Sequence, residues 1–118
     1  MIQKIYNLRK LEDIAQGNQG FIRDMLVTFV ENVATDINGI QSLKSEKNWT
    51  AIAEKAHKLA SNFAYLESNR LQILAIDIER SVLNDRNLTG IADKTNILCN
   101  EGIELVNQLK KDFCIVDT

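Results

Sequence analysis

Apolar residues recur along this chain at the three- and four-residue steps of an α-helix almost everywhere, and sustained two-residue alternation occurs nowhere. The longest seam runs through Ile22, Leu26, Phe29, Val33, Ile37, Ile40 and Leu43 at gaps of 4, 3, 4, 4, 3 and 3. It predicts one helix of about six turns, with Asn18 placed as its N-cap. Before it, Leu8, Leu11 and Ile14 share a stripe that predicts a short helix over residues 7–15, broken by the two glycines within residues 16–20. After a polar interruption at residues 42–48, Trp49, Ile52, Ala56, Leu59, Phe63 and Leu66 repeat at gaps of 3, 4, 3, 4 and 3, the cleanest helical pattern in the chain.

A turn at Glu67-Ser68-Asn69, with Ser68 as cap, leads into Leu71, Leu74, Ile78 and Val82, and this helix is expected to close at residues 84–87. A last helix opens near Thr89 and carries Ile91, Leu98, Leu105 and Leu109, weakened by Thr95 and Gly102 at the intermediate core positions. Four long amphipathic helices joined by connections of roughly 4 to 6 residues favour antiparallel neighbours. The fold class read from the chain is therefore all-α: an up-and-down antiparallel four-helix bundle with a short additional N-terminal helix, residues 1–118 forming one domain.

Composition narrows the function classes. The chain has 118 residues, 45% hydrophobic and 25% charged, with no proline to break a long helix. Fourteen Lys and Arg stand against 16 Asp and Glu, so the net charge is −2 and no concentrated basic face invites a phosphate backbone. Nucleic acid is not an expected partner. No window approaches the ~20 apolar residues of a membrane span, and Met1-Ile2-Gln3-Lys4 lacks a signal peptide's apolar stretch, so a cytoplasmic location is expected. Cys99 and Cys114 match no thiol or metal spacing and are expected to pack.

Acid–base, nucleophilic and metal chemistry lean on histidine, and the chain has one, His57, in the middle of the third long helix. At about 100° per residue, the apolar stripe of that helix centres roughly 120° away from it. His57 is thus expected at the surface or rim. Its neighbours on that side are mostly small: Thr50, Ala53, Ala60, Ser61 and Ala64. A low platform of this kind lets another protein's backbone come close to the ring, although alanines also simply raise helix propensity.

Counting removes several chemistries. Glu54-Lys55-Ala56-His57 matches one Glu-x-x-His unit, but the di-iron bundles carry that unit twice and this chain has no second histidine. A His/Cys zinc site has no supporting spacing, so no metal ligands are assigned. Ser61, one turn on, would lack oxyanion donors and an enclosed pocket as a hydrolytic nucleophile. What remains is His57 itself as the nucleophile, taking up an activated phosphoryl group through an unprotonated ring nitrogen and handing it on.

The run Ala56-His57-Lys58-Leu59-Ala60-Ser61, followed by Phe63 and Leu66, resembles the signature of histidine-containing phosphotransfer (HPt) domains of bacterial two-component phosphorelays. Tyr6-Asn7-Leu8, the stretch from Phe21 to Phe29, Trp49 and Ile78-Glu79 extend the likeness over most of the chain. The resemblance implies a bundle whose exposed histidine, here His57, accepts phosphate from the aspartate of one receiver domain and passes it to another. It implies receiver domains of response regulators or hybrid sensor kinases as partners. Mg2+ is then expected in the receiver, with no cofactor in this chain, which acts as a carrier and not as an enzyme in its own right.

Two departures stand out. The family's usual run after the histidine is x-Leu-Lys-Gly, and this chain has Ala60 and Ser61 at the last two places. Lys58 and Ser61 are the residues left to support a phosphoryl group; Thr50, Ala53, Glu54, Ala60 and Ala64 form the expected docking face. Leu66-Glu67 stands where Leu-Gly is common and is read as a different turn. The missing lysine leaves an alternative open, a receiver-binding adaptor that carries no phosphate, and a third reading is a structural bundle with an incidental histidine. A monomer is expected. A start at Met1 and an end soon after the last helix fit a separate protein, and a segment of a larger sensor kinase would look similar.

Overall fold

The computed structural model describes residues 5–84 and 88–115. Five helices follow one another: α1 (Arg9–Ala15), α2 (Gln19–Ser45), α3 (Trp49–Tyr65), α4 (Asn69–Leu83) and α5 (Leu88–Phe113). Among the described residues there is no strand. α2 packs against α3, α3 against α4, α4 against α5, and α5 back against α2. The four long helices therefore close a ring, and consecutive members joined by tight turns run antiparallel. α1 lies on α2. Helices of 26 and 27 residues reach about 40 Å at 1.5 Å per residue, which accounts for the 44 Å long axis of the molecule.

The apolar seams meet in one core. Of the α2 seam, Ile22, Leu26, Phe29, Val33, Ile37 and Ile40 are buried, with Leu43 packed against the edge. α3 contributes Ile52, Ala56, Leu59 and Phe63, all fully buried, and α5 contributes Ile91, Leu98, Leu105 and Leu109. α4 is the thinnest contributor, with Leu71, Ala75 and Ile78, and it leaves Ile73 and Leu83 open to solvent. The expected stripe of α1 holds only in part: Leu11 is buried, Leu8 half-buried, and Ile14 exposed, because a helix of seven residues is too short to keep both ends of its row against the bundle.

Both weak points of the α5 pattern have structural uses. Thr95 is buried, and its hydroxyl donates to the Ile91 carbonyl at 2.7 Å, so no polar group is stranded. Gly102 lets α2 come close: a Cβ there would stand 2.5 Å from Ile37 Cδ1. Of the cysteines, Cys99 packs as expected, and burial raises its thiol pKa; Cys114 is exposed, which corrects its reading as a packing residue. It directly follows α5.

Helix ends match the sequence reading with three exceptions. Asn18 caps α2 by accepting from the Phe21 amide at 3.0 Å, and Asn48 caps α3 through Ala51. Ser68 occupies the N-cap of α4, but its hydroxyl donates instead to the Ile5 carbonyl at 2.7 Å, tying down the N-terminal segment. α2 continues to Ser45 through the expected polar interruption, leaving a turn of residues 46–48. Glu67 adopts φ 52°, the left-handed conformation that closes a helix, with Ser68 N–H donating to Phe63 C=O at 2.9 Å. The turn is thus the one a glycine would make, not a different one. Glu67 is engaged there with Arg9 at 3.2 Å. The expected break at residues 84–87 begins at Asn84, and residues 85–87 lie outside the described set.

The Gly102–Ile37 contact gives a double-mutant test. Gly102→Ala gains helix propensity of about 1 kcal/mol but overpacks Ile37, at a cost of about 1–3 kcal/mol. Removing Cδ1 with Ile37→Val should make Gly102→Ala more favourable by about 1 kcal/mol than in the wild-type background. Denaturant melts of the four proteins measure this, and additive effects would show that the close approach is not tight.

Candidate functional site

α3 lies between α2 and α4, and its inward side decides where everything else on it points. Ile52, Ala53, Ala56, Leu59, Ala60 and Phe63 are buried, an arc of about 120° at roughly 100° per residue. His57 lies outside this arc, with 68% of its side chain exposed. The surface position read from the sequence is therefore correct, but the platform around it is narrower than expected. Ala53 and Ala60 retain 3% and 8% exposure. Both therefore belong to the packed side of α3 and not to an open docking face. The helical wheel misplaced them because it used only the large apolar residues to draw the stripe, while small residues carry the close approach of two helices.

The remaining expected site residues stay on the surface. Thr50 and Glu54 are exposed on the N-terminal half of α3, and Lys58 and Ser61 are exposed beside and one turn beyond the histidine. Ala64 is half-buried, and its carbonyl accepts from Lys10 Nζ at 3.2 Å. Farther along, Tyr65 stacks on Phe29 of α2, with ring centroids 5.9 Å apart. The position expected to carry a lysine in the resembled family is thus an alanine turned inward, and Lys58 and Ser61 are the nearest polar side chains on the outer face of α3.

The central feature of the site comes from α4. His57 Nδ1 lies 2.8 Å from Glu79 Oε2. A carboxylate only accepts, so Nδ1 carries the proton in this pair, and in the neutral ring Nε2 keeps its lone pair and points away from α4. Glu79 is three-quarters shielded, with 23% of its side chain exposed, and it follows Ile78, a fully buried residue that anchors this turn of α4. The pair Ile78-Glu79 contributes to the family resemblance, yet the role of Glu79 is not visible in the sequence: sixteen acidic residues are available, and only the packing of α4 on α3 selects this one.

On the opposite flank, α2 and α3 leave an open cleft of about 440 Å³ lined by Asn32, Thr35, Asp36, His57, Lys58, Ser61 and Asn62. Asp36 leans toward Lys55 at 3.9 Å. Among the described residues, no group of three or more His, Cys, Asp and Glu side chains converges as a metal site. Nor is any helix among the described residues long and apolar enough to cross a membrane. The imidazole is thus exposed, met by a carboxylate on one side and lining a polar cleft on the other.

The chain is thus a four-helix bundle that presents an exposed, carboxylate-held histidine from a middle helix. The model of the Hpt domain family matches residues 24–111, most of the chain and all of this site, and the chain belongs to that family. Domains of this family work in histidine phosphotransfer within two-component phosphorelays and interact with receiver domains. No curated protein and no solved structure matches the chain significantly.

Glu79→Ala should release the ring. Nitrogen NMR of the labelled protein is expected to show the proton on Nδ1 in the wild type and a shift of the neutral ring toward the Nε2–H tautomer in the variant, with an unchanged helical spectrum. Identical nitrogen shifts in the two proteins would show that the contact does not select the tautomer.

Proposed function

We propose that His57 is the phosphoacceptor of a phosphorelay intermediate: it takes a phosphoryl group from the aspartyl phosphate of one receiver domain and delivers it to the aspartate of another. The observation that carries this reading is the His57–Glu79 pair at 2.8 Å on an imidazole that is 68% exposed. The Nε2 lone pair attacks phosphorus. The N–P bond forms as the P–O bond of the acyl phosphate breaks, and the receiver's carboxylate departs with the bonding electrons. The ring keeps its Nδ1 proton and gains a positive charge, which faces the Glu79 carboxylate. The reverse sequence loads the next receiver.

On this reading the chain is a monomeric carrier in the cytoplasm, and the divalent ion belongs to the receiver, whose acidic pocket holds the aspartate. Lys58 and Ser61 support the phosphoryl group, since Ala60 offers no charge. Thr50, Glu54 and Ala64 belong to the rim on which the receiver rests. Receivers of response regulators or of hybrid sensor kinases fit equally.

Incubation with a phosphorylated receiver should place an acid-labile, base-stable label on the wild type and none on His57→Gln. Equal labelling of the variant would overturn the assignment. Full receiver affinity without label on either protein would instead favour an adaptor that docks receivers without relaying phosphate, a reading that the inward alanine at position 60 motivates.

Ala64→Arg tests the docking rim separately. A bulky charge there should weaken receiver binding by about tenfold or more, equivalent to ~1.4 kcal/mol, while the melting temperature stays within the range usual for surface substitutions. Titration calorimetry with a receiver measures the effect; unchanged affinity would place docking elsewhere.

A further inference from the structure

The cleft beside His57 contains groups that the transfer chemistry described so far does not use. Asn32 and Thr35 are exposed on α2 and line it together with Asp36; residues three and four apart in a helix share one face. Across from them, Lys58, Ser61 and Asn62 line the α3 wall. Among the described residues, the side chains of Asn32, Thr35, Ser61 and Asn62 make no hydrogen bond to the protein. The cleft therefore holds two amide and two hydroxyl groups with free donors, one ammonium, and one carboxylate. That carboxylate, Asp36, is largely shielded, with 13% of its side chain exposed, and lies 3.9 Å from the Lys55 ammonium. Its charge is thus partly offset from behind.

The direction of the imidazole links this cleft to the reaction. Glu79 holds Nδ1 from the α4 side, and the cleft opens on the other flank of α3, between α2 and α3. A phosphoryl group on Nε2 presents three oxygens with close to two negative charges, which need several donors at once. Position 60 of α3 supplies none, since Ala60 is buried and apolar.

We propose that Asn32 and Thr35 on α2 complete the seat of the phosphoryl group, facing Ser61 and Lys58 across the cleft, so that its oxygens accept hydrogen bonds from both helices. This rests on His57 being the phosphoacceptor. Loss of a phosphoryl group passes through a loose, metaphosphate-like transition state; as the N–P bonding pair leaves with the nitrogen, the group falls from close to two negative charges on its oxygens toward one. Donors on those oxygens hold the bound group more strongly than the departing one. The seat thus lengthens the life of the phosphohistidine and raises its equilibrium share against a receiver.

The experiment uses the full chain and phosphoramidate, a small donor that needs no receiver: its P–N bond breaks, the N–P bond to His57 forms, and ammonia leaves. Wild type, Asn32→Ala, Thr35→Val and the double variant are loaded, the donor is removed, and decay of the label is followed beside the phosphorus NMR resonance. The double variant should lose the label about fivefold faster or more, the effect of one lost hydrogen bond or somewhat over, with a displaced resonance and an unchanged melting temperature. Asn32→Asp, which keeps the shape and adds charge, should shorten the lifetime further than Asn32→Ala. Lifetimes equal to wild type in all variants would overturn the seat while leaving His57 as acceptor. A wild-type chain that takes no label removable by His57→Gln would overturn both.

Discussion

The burial of one side of α3 between two neighbours is the constraint on which the site depends. Phe63, Leu59, Ala56 and Ile52 are all inaccessible to solvent, and a fully buried side chain of this kind contributes about 1.5–3 kcal/mol relative to exposure. Rotating α3 by about 100° to turn His57 inward would bring out that whole row and bury Thr50 and Ser61. No single contact at the histidine competes with this. The ring is therefore presented by the core, and the groups around it only refine its direction.

That refinement is asymmetric. α4 brings Glu79 to the ring and Ala53 and Ala60 of α3 are buried, while α2 and α3 leave the open cleft that His57 lines. One helix interface supplies orientation, and the other supplies space. A lysine at position 60 would have to pass between α3 and α4 to reach solvent, carrying its stem along the same ground that Ala60 occupies. The alanine is buried and brings no charge to the neighbourhood of His57.

The helical seams were legible because burial imposes a period on the residues that experience it. From Ile22 to Ile40, and from Ile52 to Leu66, every expected core position is buried. The same logic placed His57 outside. It failed at Ala53, Ala60 and Ile14 for opposite reasons: small residues are silent in a hydrophobic stripe even when they form the closest contact, and Ile14 belongs to a helix too short to bury both ends of its row. Ser68 was recognised as a cap position, but its hydroxyl serves a carbonyl sixty-three residues away in sequence, a partner that local pattern does not encode.

Glu79 and the α2 wall were illegible for a related reason. A residue's neighbours across a helix interface depend on the crossing of the helices and on their relative translation, and neither leaves a periodic trace in polar residues. Asn32 and Thr35 read as ordinary solvated positions of α2, as do most residues that become functional only when another element faces them. The core can be inferred one helix at a time. The surroundings of His57 require three helices at once: α3 to carry the ring, α4 to bring Glu79 to Nδ1, and α2 to bound the cleft that His57 lines.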